Sequence, residues 1–357
     1  MRIFLTMAAF WFASAAYANI FTVSTNPTVP AQYSDIQAAH NVAESGDTLL
    51  LVGSGNNYSY LTVSKLIHIV GPGWGGPGLP AYLYSPNFTT GSAGSTVEGV
   101  NINYTMYFNA PNITLKDSYV YQLNFQGAST NALVRNCVGF RNIQDLGIAS
   151  GHVISNCLFN YQDGYDSYQP YVYMDGANTS MAFPALITNC TMYKLVFGEM
   201  YNAQFSNCVI HSIPESMVGY TADYDNCFGC TFNNSILFCS GCAFSDVDGG
   251  TTLVDNLNNA SNPFVSAPQS PNAYANNTLP FSGFNFSLVA SNPGINAGTD
   301  GTTIGIQGGA YPFASGSMYG GLSGVVPYVS SFIINNPVIP QGGTLDVQAT
   351  GIIPANQ

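Results

Sequence analysis

Residues 134–138 read VRNCV, and the Asn-Cys pair returns in ISNCL at 154–158, ITNCT at 187–191, FSNCV at 205–209 and YDNCF at 224–228. Aligned on cysteine, the residue three before is Val134, Ile154, Ile187, Phe205 or Tyr224. The residue two before is Arg135, Ser155, Thr188, Ser206 or Asp225, and the residue two after is Gly139, Phe159, Met192, Ile210 or Gly229. Apolar side chains therefore recur at −3, at 0 and, in three of five segments, at +2. A continuous strand would alternate strictly. Here the alternation slips by one residue, and the slip falls on Asn, the residue other than glycine that best tolerates a left-handed backbone. The pattern predicts two short strands joined by a sharp bend at Asn136, Asn156, Asn189, Asn207 and Asn226. Cys137, Cys157, Cys190, Cys208 and Cys227 would fill the inside of each bend as small hydrophobes.

The cysteines are 20, 33, 18 and 19 residues apart. A period near twenty built from short strands and one-residue bends is the signature of a solenoid. Stacking would place each Asn above the next, with their amides hydrogen-bonded along the stack. Less regular strands precede the repeat, TLLLV at 48–52, LIHIV at 66–70, TVEGVNI at 96–102 and ITLKDSYV at 113–120. Residues 47–250 then hold about ten coils. Composition agrees: Thr, Val, Tyr, Phe and Asn are abundant, helix formers are scarce, and only 7% of residues are charged.

With these segments in place, the chain resembles the parallel β-helix proteins of pectate-lyase-like fold. The matching stretches are YSDIQAAHNVAESGDTLLLVGSG and LTVSKLIHIVGPG. In that superfamily such a segment is an amphipathic helix followed by the first coil. Ile36, Ala39, Val42 and Ala43 form one helical stripe that would cover the open end of the stack. The stretches NPFVSAP at 262–268 and SLVASNPGINAGTDGTTIGIQGGAYPF at 287–313 are similar to the closing region of secreted β-helix proteins of Bacteroidetes type. The expected fold is thus all-β, a right-handed parallel β-helix solenoid with an N-terminal capping helix and a short C-terminal β tail. Residues 19–313 would form the helix domain, 314–324 a Gly/Ser linker, and 325–357 a strand tail or truncated domain.

Residues 1–18, MRIFLTMAAFWFASAAYA, have the plan of a secretory signal: Arg2, an apolar run too short for a membrane span, and Ala16-Tyr17-Ala18 before the cut. The mature chain would begin at Asn19, be secreted to the extracellular space or cell surface, and keep five cations against 18 anions. That balance argues against nucleic acid and anionic membranes as partners.

Several residue groups invite a chemical reading. Cys227, Cys230, Cys239 and Cys242 form C-x2-C twice, which suits zinc in the cytosol and disulfides or buried thiols in an exported chain. A cysteine nucleophile needs a positioned histidine, and His40, His68, His152 and His211 show no pairing motif. The long interval from Cys157 to Cys190 predicts a loop within residues 160–180, carrying Tyr161, Asp163, Tyr165, Asp166, Tyr168, Tyr171, Tyr173 and Asp175. Tyrosine faces stack on sugar rings and carboxylates accept from hydroxyls, so these eight are the expected ligand-binding residues. Carboxylates there, or in the set Asp223, Asp225, Asp246 and Asp248, could also bind calcium, although an EF-hand ligand pattern is missing. No catalytic residue, metal ligand or cofactor is assigned.

The β-helix pectate lyases use Arg or Lys as base, with calcium and further cations to hold an acidic sugar. This mature chain has only Lys65, Lys116, Arg135, Arg141 and Lys194, and its negative charge would repel polyuronates. The hydrolase and epimerase signatures of the superfamily are not recognisable either. The expectation is a non-catalytic, secreted cell-surface protein, an adhesin contacting glycan or a structural component that self-associates through β edges. The alternative is a polysaccharide lyase or glycoside hydrolase using the 160–180 loop.

Overall fold

The computed structural model describes residues 18–73, 80–144, 151–160, 172–176, 184–212, 227–239, 252–259, 262–266, 285–313, 328–334 and 347–352. The proposed signal segment up to Tyr17 lies outside them. The chain is a parallel β-helix. Eleven short strands, from Ile20–Val23 to Thr252–Val254, stack in parallel as sheet A, and a second sheet of 14 strands, sheet B, is also parallel. From Thr96–Glu98 onward, each described strand of sheet A is followed by a bend into sheet B.

The registers explain the −3 position. Leu115 lies opposite Val134, Val134 opposite Ile154, Ile154 opposite Ile187, and Ile187 opposite Phe205. All are buried, as are Leu49, Ile69, Val97 and Phe232 in the same column. A column of like side chains at coil spacing packs without voids, and each such side chain contributes about 1.5–3 kcal/mol of burial.

The bends are as expected in conformation. Asn136, Asn156, Asn189 and Asn207 have φ of 50°, 49°, 50° and 53°. Asp117 at 50°, Asn234 at 46° and Asp255 at 48° occupy the same place in neighbouring coils. The next bend after Asn207 therefore belongs to Asn234 and Ser235. Cys227 sits instead in a two-residue strand opposite Met200, and Asn226 lies outside the described residues. The 19-residue spacing of Cys208 and Cys227 is thus not a coil repeat, because this coil takes a longer path before returning to sheet A at Thr231.

Inside the bends, cysteine does more than fill space. The Cys137, Cys157, Cys190 and Cys208 thiols donate to the carbonyls of Arg135, Ser155, Thr188 and Ser206, two residues back, at 3.2–3.3 Å. Ser118 and Ser235 make the same bond to Lys116 and Asn233 at 2.8 and 3.0 Å. The inner atom also accepts a main-chain N–H from the preceding coil, Cys157 N to Cys190 Sγ at 3.4 Å and Cys208 N to Ser235 Oγ at 3.1 Å. Serine and cysteine are interchangeable because both are small and both donate and accept.

The outer amides do not form the expected ladder. One pair follows the stack among the described residues, Asn234 Nδ2 to Asn207 Oδ1 at 2.9 Å. The others reach a C-terminal strap that runs back along the bends. Asn234 donates to Ala297 O at 2.7 Å, Asn207 to Thr299 Oγ1 at 2.9 Å, Asn156 to Gly308 O at 2.6 Å and Asn136 to Tyr311 O at 2.8 Å. The strap backbone lies directly on the coils. A Cβ on Gly309 would come within 2.7 Å of the Asn189 side chain, and one on Gly305 within 2.7 Å of Val209. Under the strap is a second core, in which Ile304, Ile306, Phe313, Phe264 and Phe286 cover Tyr119, Val138, Leu158, Tyr193, Val209 and Ile236.

The N-terminal helix spans Ile36–Val42, with the Asp35 side chain accepting from Ala38 N at 2.7 Å. Ile36, Ala39 and Ala43 are buried as predicted, but Val42 is 59% exposed and His40 takes its place in the contact. His40 Nε2 accepts from Ser64 N at 3.2 Å, so the ring is held by the coil it covers. At the other end, Tyr328–Ile334 and Val347–Ile352 pair as an antiparallel hairpin, a strand-rich tail.

Two measurements test the bend. Asn156→Gly should lose only the strap bond, about 1 kcal/mol. Asn156→Ala should lose a further 1–2 kcal/mol, roughly, for the left-handed backbone. Equal urea midpoints for the two would refute this account. Asp117 is the second test. Burial, then the Glu98 charge, push its carboxyl up to about 6 against the opposing Lys116 and Arg135. A raised acid favours its neutral form, so stability should fall as pH rises from about 4 to about 6 and stay lower above that. Asp117→Asn should remove this slope and raise the thermal midpoint at pH 7, in line with an effect of up to about 3 kcal/mol.

Candidate binding corner of exposed tyrosines

Sheet B turns a second corner, and a bulge makes it. Val120 pairs with Gly139 and Gln122 with Asn142, so Tyr121 alone faces both Phe140 and Arg141. Phe140 accommodates the extra residue with φ of 53°, unusual for a bulky side chain, and its buried ring stacks on Phe159 at 4.6 Å. The same irregularity separates Ile102 from Thr105 one coil earlier.

The outer positions of this corner carry tyrosine in four successive coils. Tyr84 and Tyr104 are stacked at 5.4 Å with an interplanar angle of 4°, and Tyr104 stacks on Tyr121 at 6.4 Å and 11°. Tyr60 closes the row edge-on to Tyr84, at 4.9 Å and 85°. Arg141 ends it at the other side, hydrogen-bonded to the Tyr121 hydroxyl and lying over its ring. Stacking covers both faces of Tyr104, so its 47% exposure is ring edge and hydroxyl, whereas Tyr60, which meets Tyr84 edge-on, is 65% exposed and is the open aromatic surface of the row. The hydrogen bond to Tyr84, followed by partial burial and the neighbouring Tyr84, Tyr104 and Tyr107 hydroxyls, holds the Tyr60 hydroxyl above its ordinary range. The Tyr60 hydroxyl therefore stays neutral and can donate.

Amides line both legs beside the row. Asn103 donates to Asn57 Oδ1 at 2.7 Å, Thr105 to Gln122 Oε1 at 3.0 Å, and Gln122 and Asn124 to Gln144 Oε1 at 3.0 and 3.4 Å. The corner thus offers aromatic surface, hydroxyls and amides with a single cation. Such a surface recognises neutral polyhydroxylated ligands through stacking and directional hydrogen bonds. The row at residues 60, 84, 104 and 121 repeats at coil spacing, the one sequence signal that would have marked it.

Tyr161, Asp163, Tyr165, Asp166, Tyr168 and Tyr171 are outside the described residues. Tyr173 and Asp175 are not on a projecting loop. They belong to strand Val172–Gly176, inserted between the neighbouring coils, with Tyr173 opposite Asn142 and Met174 buried. The surplus length after Cys157 is therefore partly coil. Cys230 is buried, while the side chains of Cys227 and Cys239, and Cys242, the other members of the expected disulfide set, are outside the described residues. Asp223, Asp225, Asp246 and Asp248 also fall outside. Among the described residues no three His, Cys, Asp or Glu side chains converge as metal ligands.

Among the described residues, the following histidine and cation side chains are tied into the fold. His152 is buried, packed at a tilt against Phe125 at 4.2 Å, and accepts from Ala132 N at 3.2 Å; burial pushes its pKa down to about 4. Arg135 lies over the Tyr311 ring at 4.1 Å, Lys116 pairs with Glu98 at 2.5 Å, and Lys65 donates to Ala43 O at 2.6 Å. No helix among the described residues is long and apolar enough to cross a membrane.

No protein-family model matches the chain. No curated protein matches it either.

The four bend thiols are buried, and burial pushes the pKa of Cys157 and of Cys208 well above the ordinary thiol range. A hydrophilic maleimide at pH 7 should therefore leave Cys137, Cys157, Cys190 and Cys208 unlabelled in the native protein and label all four in denaturant. Peptide mapping reads the result, and native labelling at any of the four would contradict the bend assignment.

Proposed function

We propose that this chain is an exported, non-catalytic β-helix protein that contacts extracellular glycan through its tyrosine corner. The observation that carries the reading is the Tyr60–Tyr84–Tyr104–Tyr121 row with its flanking amides. The use of cations supports it further. Lys65, Lys116, Arg135 and Arg141 each hold a neighbour within the fold, so none of them is available to abstract a proton or hold an acidic sugar without breaking a structural contact. The strongly acidic balance of the mature chain favours neutral over uronic sugars.

Within this proposal the chain is a member of the pectate-lyase-like group, of the secreted Bacteroidetes type that its first and last segments resemble. Residues 19–313 act as one domain, and the hairpin after the Gly/Ser stretch serves attachment or β-edge association with a neighbour.

A glycan array with the mature protein tests the reading. Neutral glycans should bind, and Tyr60→Ala should weaken binding up to about tenfold while leaving the thermal midpoint within a degree or so, whereas Tyr104→Ala should weaken binding and also lower the midpoint by a few degrees, because it loses two stacked partners. Reducing-sugar and unsaturated-uronide assays on the bound glycans should show no product. Turnover that disappears on substituting Asp163, Asp166 or Asp175 would establish the enzymatic alternative instead.

A further inference from the structure

The small-residue cleavage pattern ends at Ala18, and the main-chain nitrogen of the next residue is the atom that the fold seats on a buried carboxylate. Asp47 is 2% exposed. Its Oδ1 accepts from Asn19 N at 2.6 Å and from Asn19 Nδ2 at 3.3 Å, and its Oδ2 accepts from Glu44 N at 2.7 Å. Asn19 is held from its other side too, because its carbonyl accepts from Thr48 N at 2.8 Å. The first strand of sheet A begins at the next residue, with Ile20 opposite Thr48. Ala18 and Asn19 are both exposed, so the bond between them can be reached by a peptidase.

We infer that cleavage after Ala18 turns Asn19 N into a structural group, an α-ammonium paired with Asp47 that clamps the first strand, the end of the helix and the first coil together. Water adds across the Ala18–Asn19 peptide bond, catalysed by an export peptidase that cuts after small residues. Ala18 leaves with the carboxylate, and Asn19 keeps the nitrogen, which takes up a proton at neutral pH. The nitrogen need not move: it exchanges a single amide N–H for three ammonium donors and a full charge, in a place already lined by carboxylate oxygen. Charge-assisted bonds of this kind are about twice as strong as neutral ones.

The surroundings suit the pair. Burial alone would raise the Asp47 carboxyl, but the N–H groups of Asn19 and Glu44, the Asn19 amide and the Lys65 charge together hold it below its ordinary range. It is therefore ionised when the ammonium arrives. Lys65 is the nearby cation, anchored on Ala43 O and Asn41 O, and Glu44 is the nearby anion. His40 on the same helix is kept toward its neutral form by burial and by Lys65.

The sign of the pH dependence follows. An ammonium stabilised by Asp47 has a raised folded-state value, so its contribution is complete below about pH 8 and is lost as pH rises through that raised value. On the acid side it is lost as pH falls through the lowered value of Asp47.

The test compares two full-length mature proteins released from a cleavable fusion, one starting at Asn19 and one at Ala18. The comparison uses purified protein, so it succeeds or fails independently of the glycan reading. The Asn19 form should melt several degrees higher at pH 7. The difference should vanish near pH 11 and in the Asp47→Asn background. Equal midpoints at pH 7, or a difference that persists unchanged at pH 11, overturns the pair. Should Asp47→Asn fail to fold, acylation of the α-amine at pH 7.5 serves instead. It should run at least about tenfold slower in the Asn19 form than in the free peptide NIFTV, as expected for a shift of one unit or more, and equal rates overturn the pair. Terminal sequencing of the exported protein should read Asn19 first, and any other start overturns the maturation step.

Discussion

A left-handed residue between sheets A and B is the constraint on which this structure depends. Each coil needs to change direction within one residue while keeping −3 and 0 inside. A right-handed or extended residue there would send the inner side chain outward. Asn, Asp and Gly tolerate the conformation, and those residues occupy the place at Gly99, Asp117, Asn136, Asn156, Asn189, Asn207, Asn234 and Asp255. At six of these eight the following residue is Cys or Ser, whose Sγ or Oγ binds the carbonyl two residues back inside the bend. One two-residue unit thus turns the chain and satisfies a carbonyl that the turn strands.

The same unit has an outer face, and this is how the C-terminal segment attaches. An amide in left-handed conformation projects its Nδ2 away from the core, where it meets carbonyls of the strap. The strap in turn covers Val138, Leu158 and Val209, one residue past each cysteine, which would otherwise be apolar side chains on an outer surface. In a chain with 7% charged residues this arrangement replaces ion pairs. Neutral hydrogen bonds of about 1 kcal/mol each, repeated in register, hold the segment along the whole run of bends. Three of the cations sit at closing positions: Lys65 at the helix end, Arg135 against Tyr311, Arg141 at the tyrosine corner.

Legibility followed how local the cause was. The bend at Asn136 was readable because the period change and the special residue coincide in five residues. The helix was readable from its apolar stripe, but the stripe chose Val42 over His40. Hydrophobicity ranks them that way, whereas the exposed main-chain N–H of Ser64 calls for an acceptor that valine lacks. The assignment of Cys227 to the repeat failed because spacing is only a proxy for register, and the coil after Asn207 is longer than its neighbours. The strand Val172–Gly176 was hidden for the same reason: extra length reads as loop unless its pairing partners are known. The tyrosine corner was hidden because it falls on a bulge, where alternation no longer tells inside from outside.

By itself, the sequence determined the class of fold, the place and conformation of the bends, and the residues that fill them, since these arise from backbone sterics and a period of about twenty residues. Only the tertiary structure decided what the outer atoms meet. Whether an Asn amide bonds the Asn above it or a carbonyl 152 residues later, as between Asn156 and Gly308, depends on where the strap lies. The row of tyrosines from Tyr60 to Tyr121 and the seat of Asn19 on Asp47 are likewise products of stacking. Contacts between coils join residues far apart in the chain, and a local pattern carries no information about such distant partners.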